Sequence, residues 1–199
     1  MFDVLRDHIA RRIDLTDEEF ATCCAYFTPR KVKKGRFLLE QGDVCRHLIF
    51  VNDGCLREYR VDHRDEEHIA QFAIRDWWIS DLDSFLSGAP STQCIDTLQD
   101  SDILLLDREG RESMLRAVPK MERFFRILAE GKIIAESERM QNALSQSAEE
   151  RYLRFLAMYA SLAQSVPQRY IASYLGITPQ SLSRIRKELA QHRPPEPLP

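Results

Sequence analysis

The sequence predicts an α+β fold: an N-terminal antiparallel β-roll of jelly-roll type with flanking helices, one long central helix, and a C-terminal all-α segment. Three observations lead there. Between Val32 and about Asp107, turn signals recur at a spacing of roughly 8–12 residues, the rhythm of a sandwich or barrel of short strands. After Pro119 the apolar period switches to that of a helix. Thr16-x-x-Glu19 and Ser147-x-x-Glu150 are capping boxes, so a helix starts at each.

Taken along the chain, the Thr16 box predicts a short helix before the strands. The strands themselves are short apolar or alternating runs, such as Phe37 to Leu39, Leu48 to Val51 and Ala70/Phe72/Ile74. Gly35, Gly42-Asp43, Asn52-Asp53-Gly54, Arg64-Asp65, Arg75-Asp76, Ser87-Gly88-Ala89-Pro90 and Asp100-Ser101 separate them. The basic run Arg30-Lys31-Val32-Lys33-Lys34 reads as an exposed strand edge, where lysine blocks pairing with another chain. Residues 119–146 then read as one helix of roughly 42 Å. One stripe carries Met121, Phe124, Phe125, Leu128 and Ala135, and a neighbouring one carries Ile127, Ile133, Ile134, Met140 and Leu144. That apolar surface is too wide for one partner, which predicts that the second stripe packs on the same helix of another copy. Gly131 costs such a helix ~1 kcal/mol, tolerable where two backbones approach closely. The Ser147 box places a bend before the next helix, and Tyr152 to Leu162 reads as amphipathic. The expected division is 1–118 for the β-roll, 119–146 for the long helix, 147–193 for the helical C-terminal domain and 194–199 for a disordered proline-rich tail.

Composition narrows the function. The 199 residues are 44% hydrophobic and 30% charged with a net charge of −3, ordinary for a globular chain. No apolar run approaches the roughly 18 residues of a membrane helix and no signal-peptide core precedes the first helix, so the cytoplasm is the expected location, away from membranes. Cys23, Cys24, Cys45, Cys55 and Cys94 are an odd set without a CxxC spacing, which predicts free thiols rather than a disulfide framework or zinc site. Adjacent Cys23 and Cys24 diverge by about 100° on a helix, so they read as small apolar groups, not a chelating pair. His47, His63 and His68 are scattered, and no Walker or nucleophile-elbow sequence occurs. No catalytic residue, metal ligand or cofactor is therefore expected, and a cupin-like enzyme is the weakest alternative. The charge is also uneven: residues 1–150 hold 21 basic against 29 acidic side chains, and residues 151–199 hold 7 against 2. A basic end behind an acidic body suits contact with nucleic acid.

Residues 168–187 carry that contact. Ala172 is small where two helices approach, and Gly176 sits where the chain must turn. Ile171, Leu175, Ile177, Leu182 and Ile185 supply the shared apolar core of a helix-turn-helix. Thr178-Pro179 gives an N-cap followed by proline at the first helical position. On the second helix Gln180, Ser181 and Arg184 fall at the end that enters a major groove, where arginine pairs bidentately with guanine and glutamine with adenine, and the capping Thr178 is a further candidate DNA contact. Ser183, Arg186, Lys187 and Arg169 fall where phosphates lie.

Roll, long helix, hinge and helix-turn-helix together resemble the CRP/FNR superfamily of bacterial transcription regulators. The resemblance includes Lys34-Gly35-x-x-Leu38-x-x-x-Gly42-Asp43, Phe50-Val51-Asn52-Asp53-Gly54 and the second helix from Thr178 to Leu189. It implies a homodimer on a near-palindromic double-stranded operator with half-sites ~34 Å apart, a small-molecule effector in the roll, and RNA polymerase as a further partner. The resemblance breaks at the effector site. Where cyclic-nucleotide binders of the family have a Gly-Glu-Leu segment and an Arg-Ser-Ala segment, this chain has Asp81 for the Glu and Ser91 for the Arg. A phosphodiester loses its bidentate cation there, so the expected effector is not cyclic AMP. Trp78, Asp81, Ser91 and Thr92 are the residues left to meet another ligand. The shortness of the chain after Leu189 also implies a reduced or absent wing. A ligand- or protein-binding module of the same fold, without DNA contact, is the alternative.

Overall fold

Two antiparallel four-stranded sheets and nine helices make up residues 1–191, which the structure, a computed structural model, describes. The tail expected at 194–199 lies outside the described residues. Two helices, α1 (Asp3–Ala10) and α2 (Asp17–Cys24), precede the sheets. The Thr16 box opens α2 as expected: Glu19 N–H donates to Thr16 Oγ1 at 3.1 Å and Thr16 N–H to a Glu19 carboxylate oxygen at 2.8 Å. Helix α1 has no side-chain cap and is invisible to that signal, yet its Leu5, His8 and Ile9 are all buried.

The strands are β1 (Thr28–Val32), β2 (Phe37–Leu39), β3 (His47–Asp53), β4 (Cys55–Val61), β5 (Glu67–Ile74), β6 (Trp77–Ile79), β7 (Cys94–Thr97) and β8 (Ser101–Asp107), with the short helix α3 (Leu82–Ser87) between β6 and β7. One sheet runs β1-β8-β3-β6 and the other β2-β7-β4-β5. β1, with Arg30 and Lys31, is an edge strand, as the basic run predicts. Alternation sorts the side chains. In the first sheet Leu48 and Phe50 pair with Leu106 and Leu104 on one face, and Phe50 meets the His8 ring at 5.2 Å, so the helices cover that face. Ile49, Val51 and Ile103 point the other way and join Leu56, Ala73 and Ile95 of the second sheet in the core. Gly54 closes the β3–β4 turn at φ +96°, where an added Cβ would lie 2.7 Å from the Asp100 carbonyl oxygen, so only glycine fits.

Helix α4 (Arg108–Ala117) leads into α5 (Lys120–Ser145), which is 26 residues long. Met121 and Phe124 of α5 are buried in the roll's core, and Phe125 and Leu128 pack against it. On the other stripe Ile133, Ile134, Met140 and Leu144 are exposed at 66, 59, 66 and 86%. The chain forms two compact units, Met1–Ile133 and the part from Ile134 onward, and α5 runs from one into the other.

The second unit contains α6 (Ala148–Met158), α7 (Leu162–Ser165), α8 (Gln168–Leu175) and α9 (Pro179–Gln191). The Ser147 box is present, with Glu150 N–H donating to Ser147 Oγ at 3.2 Å. The helix expected to reach Leu162 ends instead at Met158. Tyr159 leaves helical geometry and packs its ring 5.2 Å from Phe155 and 5.8 Å from Tyr174, and the buried Leu162 starts a separate turn. No helix among the described residues is long and apolar enough to cross a membrane.

Candidate nucleic-acid interface

The corner between α8 and α9 is assembled as the residue types require. Gly176 ends α8 at φ +68°, ψ +36°, the left-handed conformation that satisfies last-turn carbonyls, and Ile177 N–H returns to the Ala172 carbonyl at 3.0 Å. Thr178 then caps α9: its Oγ1 accepts from Ser181 N–H at 3.2 Å and donates to Ser181 Oγ at 3.0 Å. Ile171, Ala172 and Leu175 of α8 are buried, as are Leu182 and Ile185 of α9.

With those residues inward, α9 turns Gln180, Ser183, Arg184 and Lys187 to solvent, and Ser181 and Arg186 are half-buried at its flank. Gln180, Arg184 and Lys187 share one face at helical spacing. The first backbone N–H groups of α9 open at the same end, a favourable place for an anion. Arg169 is exposed in the first turn of α8, with Nη2 donating to the Tyr170 hydroxyl at 2.8 Å. The eight residues expected at the interface therefore fall in one segment, with the Thr178 and Ser181 hydroxyls engaged in the cap.

The expected effector residues separate into two groups. Asp81 caps α3, accepting from Ser84 N–H at 3.2 Å, and its other oxygen accepts from Ser91 Oγ at 2.6 Å. Ser91 is buried, and Thr92 beside it is exposed. Trp78 stands elsewhere. Its ring lies 5.2 Å from Phe50, 6.3 Å from Phe124 and 6.0 Å from Phe125, in the layer under α1 and α5. Strand alternation puts it on the helix-covered face of β6, opposite to the direction of its neighbours Trp77 and Ile79.

Polar groups that the sequence did not single out sit near that region. Gln71 Nε2 donates to the Trp78 carbonyl at 2.9 Å, and Lys132 of α5 reaches the Ser80 carbonyl at 3.4 Å. On the other face of the second sheet Arg57 is held by two carboxylates: Nε and Nη2 each donate to Asp96 at 2.8 Å, and Nη1 donates to Glu67 at 2.6 Å. Its guanidinium also stacks 4.0 Å over the Tyr59 ring. Burial pushes the Cys23 and Cys55 thiols up to about 12, which keeps both protonated and unreactive at neutral pH. The five cysteines are free thiols.

Comparison with known proteins agrees with this architecture. Residues 29–118 match the family model of the cyclic nucleotide-binding domain. The chain is 22% identical over 169 residues to the fumarate and nitrate reduction regulatory protein of Vibrio cholerae, a match covering 78% of this chain and 66%, just under two thirds, of that relative. Its fold is similar to the structure of FixK2 from Bradyrhizobium japonicum, with TM-score 0.72, 19% identity and coverage of 83% of this chain and 85% of that one. It is also similar to a Eubacterium rectale protein described as a transcriptional regulator of the CRP/FNR family, with TM-score 0.68, 16% identity and coverage of 89% and 85%. Residues 29–118 therefore carry a domain that matches the cyclic nucleotide-binding domain, in a chain whose fold is similar to the FixK2 structure and to the Eubacterium rectale structure.

Proposed function

We propose that this protein is a sequence-specific DNA-binding transcription regulator that acts as a homodimer through α5. The observation that carries the reading is the exposed row of Gln180, Arg184 and Lys187 on a helix whose opposite face, Leu182 and Ile185, is fixed to α8. Arg184 offers two donors to one base edge and Gln180 a donor and an acceptor to another, and Lys187, Ser183, Arg186 and Arg169 offer contacts to phosphates. Two such corners related by a two-fold axis match an operator of two inverted half-sites ~34 Å apart. The uncovered stripe of α5, from Ile133 to Leu144, is the surface that supports the dimer. The Vibrio cholerae relative and the Eubacterium rectale protein are named as regulators, and this chain is read the same way.

The roll does not fit a cyclic nucleotide. At the position where a phosphodiester would need a guanidinium stands Ser91, whose hydroxyl is already given to Asp81 and whose own Oγ accepts from Gln93 N–H at 2.9 Å. An effector at the roll is therefore of another class, and RNA polymerase is a further partner in this reading. Fluorescence anisotropy against random and selected duplexes at fixed salt tests the regulator: selective binding supports it, and no binding favours a ligand- or protein-binding module. A thermal shift with cyclic AMP tests the effector statement, and a clear rise in midpoint overturns it.

A further inference from the structure

We infer that Arg151 is the positioning residue that fixes the helix-turn-helix to the end of α5 and so converts the geometry of the α5 seam into half-site spacing. This rests on the dimeric DNA-binding reading above. Arg151 lies in the first turns of α6, half-buried, and bridges the ends of α5 and α8. Its Nη1 donates to the Gln146 carbonyl at 2.8 Å, just past the end of α5, and its Nε donates to the Leu175 carbonyl at 3.2 Å, the last residue of α8. Both acceptors are carbonyls at a helix C-terminus, where the helix leaves oxygens without intrahelical partners and a partial negative charge. One cation thus serves two helix ends, and the second is the residue immediately before Gly176, whose left-handed turn aims α9.

The rest of the junction supports the same role. Gln146 Oε1 is buried with no hydrogen-bond partner among the described residues, and the main-chain carbonyl makes the link to Arg151. Arg154 Nη1 reaches Glu138 of α5 at 3.4 Å, and the Arg139 guanidinium lies 5.9 Å from the Tyr174 ring centre, so α5 is also tied to α6 and α8 further out. The exposed Arg154–Glu138 pair is the weaker kind, whereas the Arg151 bonds are shielded from water on one side. The bend expected before Ser147 is therefore a clasp rather than a free swivel. A lysine cannot replace it, because a single ammonium does not present two in-plane N–H groups to carbonyls on separate elements.

The test uses the full chain with Arg151→Met and Arg151→Lys. Sequences selected by the parent chain from random duplexes supply an operator, and affinity is measured on one half-site and on inverted half-sites at a series of spacings. The expected result is unchanged half-site affinity, an approximately ten-fold loss on the best-spaced operator and a broader spacing profile, in both variants. An unaltered profile, or equal losses on half-site and operator, overturns the inference. Amide hydrogen exchange at Gly176, Ile177 and Glu149, read without DNA, is expected to speed up several-fold in Arg151→Lys, which retains the charge and the fold. Unchanged exchange overturns the clasp by itself, whereas a parent chain that selects no DNA sinks the regulator reading and leaves the exchange result to decide the clasp.

Discussion

Replacing Met140 by glutamate should split the proposed dimer without harming the chain that forms it. Met140 is 66% exposed in the single chain, seven residues after Ile133 and four before Leu144, so the three lie along one seam at coiled-coil spacing. Full burial of a methionine side chain contributes ~2 kcal/mol, and about two thirds of that is still to be gained when the seam closes. Two copies then contribute about 2.7 kcal/mol, and losing them weakens the dimer about a hundred-fold in Kd. Two carboxylates facing each other across a two-fold axis weaken it further. Glutamate and methionine have nearly equal helix propensity, so α5 itself should persist. Sedimentation equilibrium from nanomolar to tens of micromolar protein reads the outcome. The parent should show twice the 23.2 kDa chain mass, and Met140→Glu should fall towards one chain mass with an unchanged circular dichroism spectrum. A parent that runs at one chain mass throughout, or a variant as dimeric as the parent, would refute the seam.

Three further outcomes follow from the same structure. Arg184→Ala should lose ~1–3 kcal/mol on the selected operator and relax one base position, while Lys187→Ala weakens all duplexes alike and lowers the salt slope by about one; equal losses on specific and random DNA for Arg184→Ala contradict those roles. Arg57→Leu leaves the Asp96 carboxylate, only 11% exposed, without its bidentate partner and should destabilise the roll by ~3–5 kcal/mol in urea unfolding, and a loss below about 1 kcal/mol would show that the pair is dispensable. His8 is held below the ordinary histidine value of 6.5, chiefly by burial, with the Asp76 hydrogen bond opposing. The unfolded chain therefore takes up the proton first, and stability contributed at His8 is full above pH 6.5 and is lost as the pH falls towards the lowered native value. The difference in unfolding free energy between the parent and His8→Gln should shrink on acidification below pH 6.5, and a gap independent of pH would be the contrary result.

What the sequence made legible was local. Thr16, Ser147 and the Thr178-Pro179 pair announce helix starts through side chains that bond within one turn, and all three helices begin there. Gly176 announces a turn because only a residue without Cβ adopts its φ cheaply. What stayed hidden depends on partners far along the chain. Helix α1 lacks a cap, and only the four-residue spacing of Leu5 and Ile9 marks it among its charges. Tyr159 breaks its helix through ring packing on Tyr174, a tertiary effect that overrides propensity. Trp78 looked like a neighbour of Asp81 in sequence, but the two-residue period of a strand turns it towards α5. Arg57 gave no sign that Asp96, 39 residues later, would meet it. Arg151 bonds to main-chain carbonyls, which leave no pattern in the side chains at all.

Selection of bound duplexes from a random pool by the full chain, followed by sequencing, puts the central claim to its most direct test. The account predicts enrichment of two inverted half-sites centred ~34 Å apart, about one helical turn, with discrimination lost at one base position in Arg184→Ala. Retention of duplexes without sequence enrichment, falling away uniformly as salt is raised, would mean that α9 meets phosphates alone and that base reading is absent.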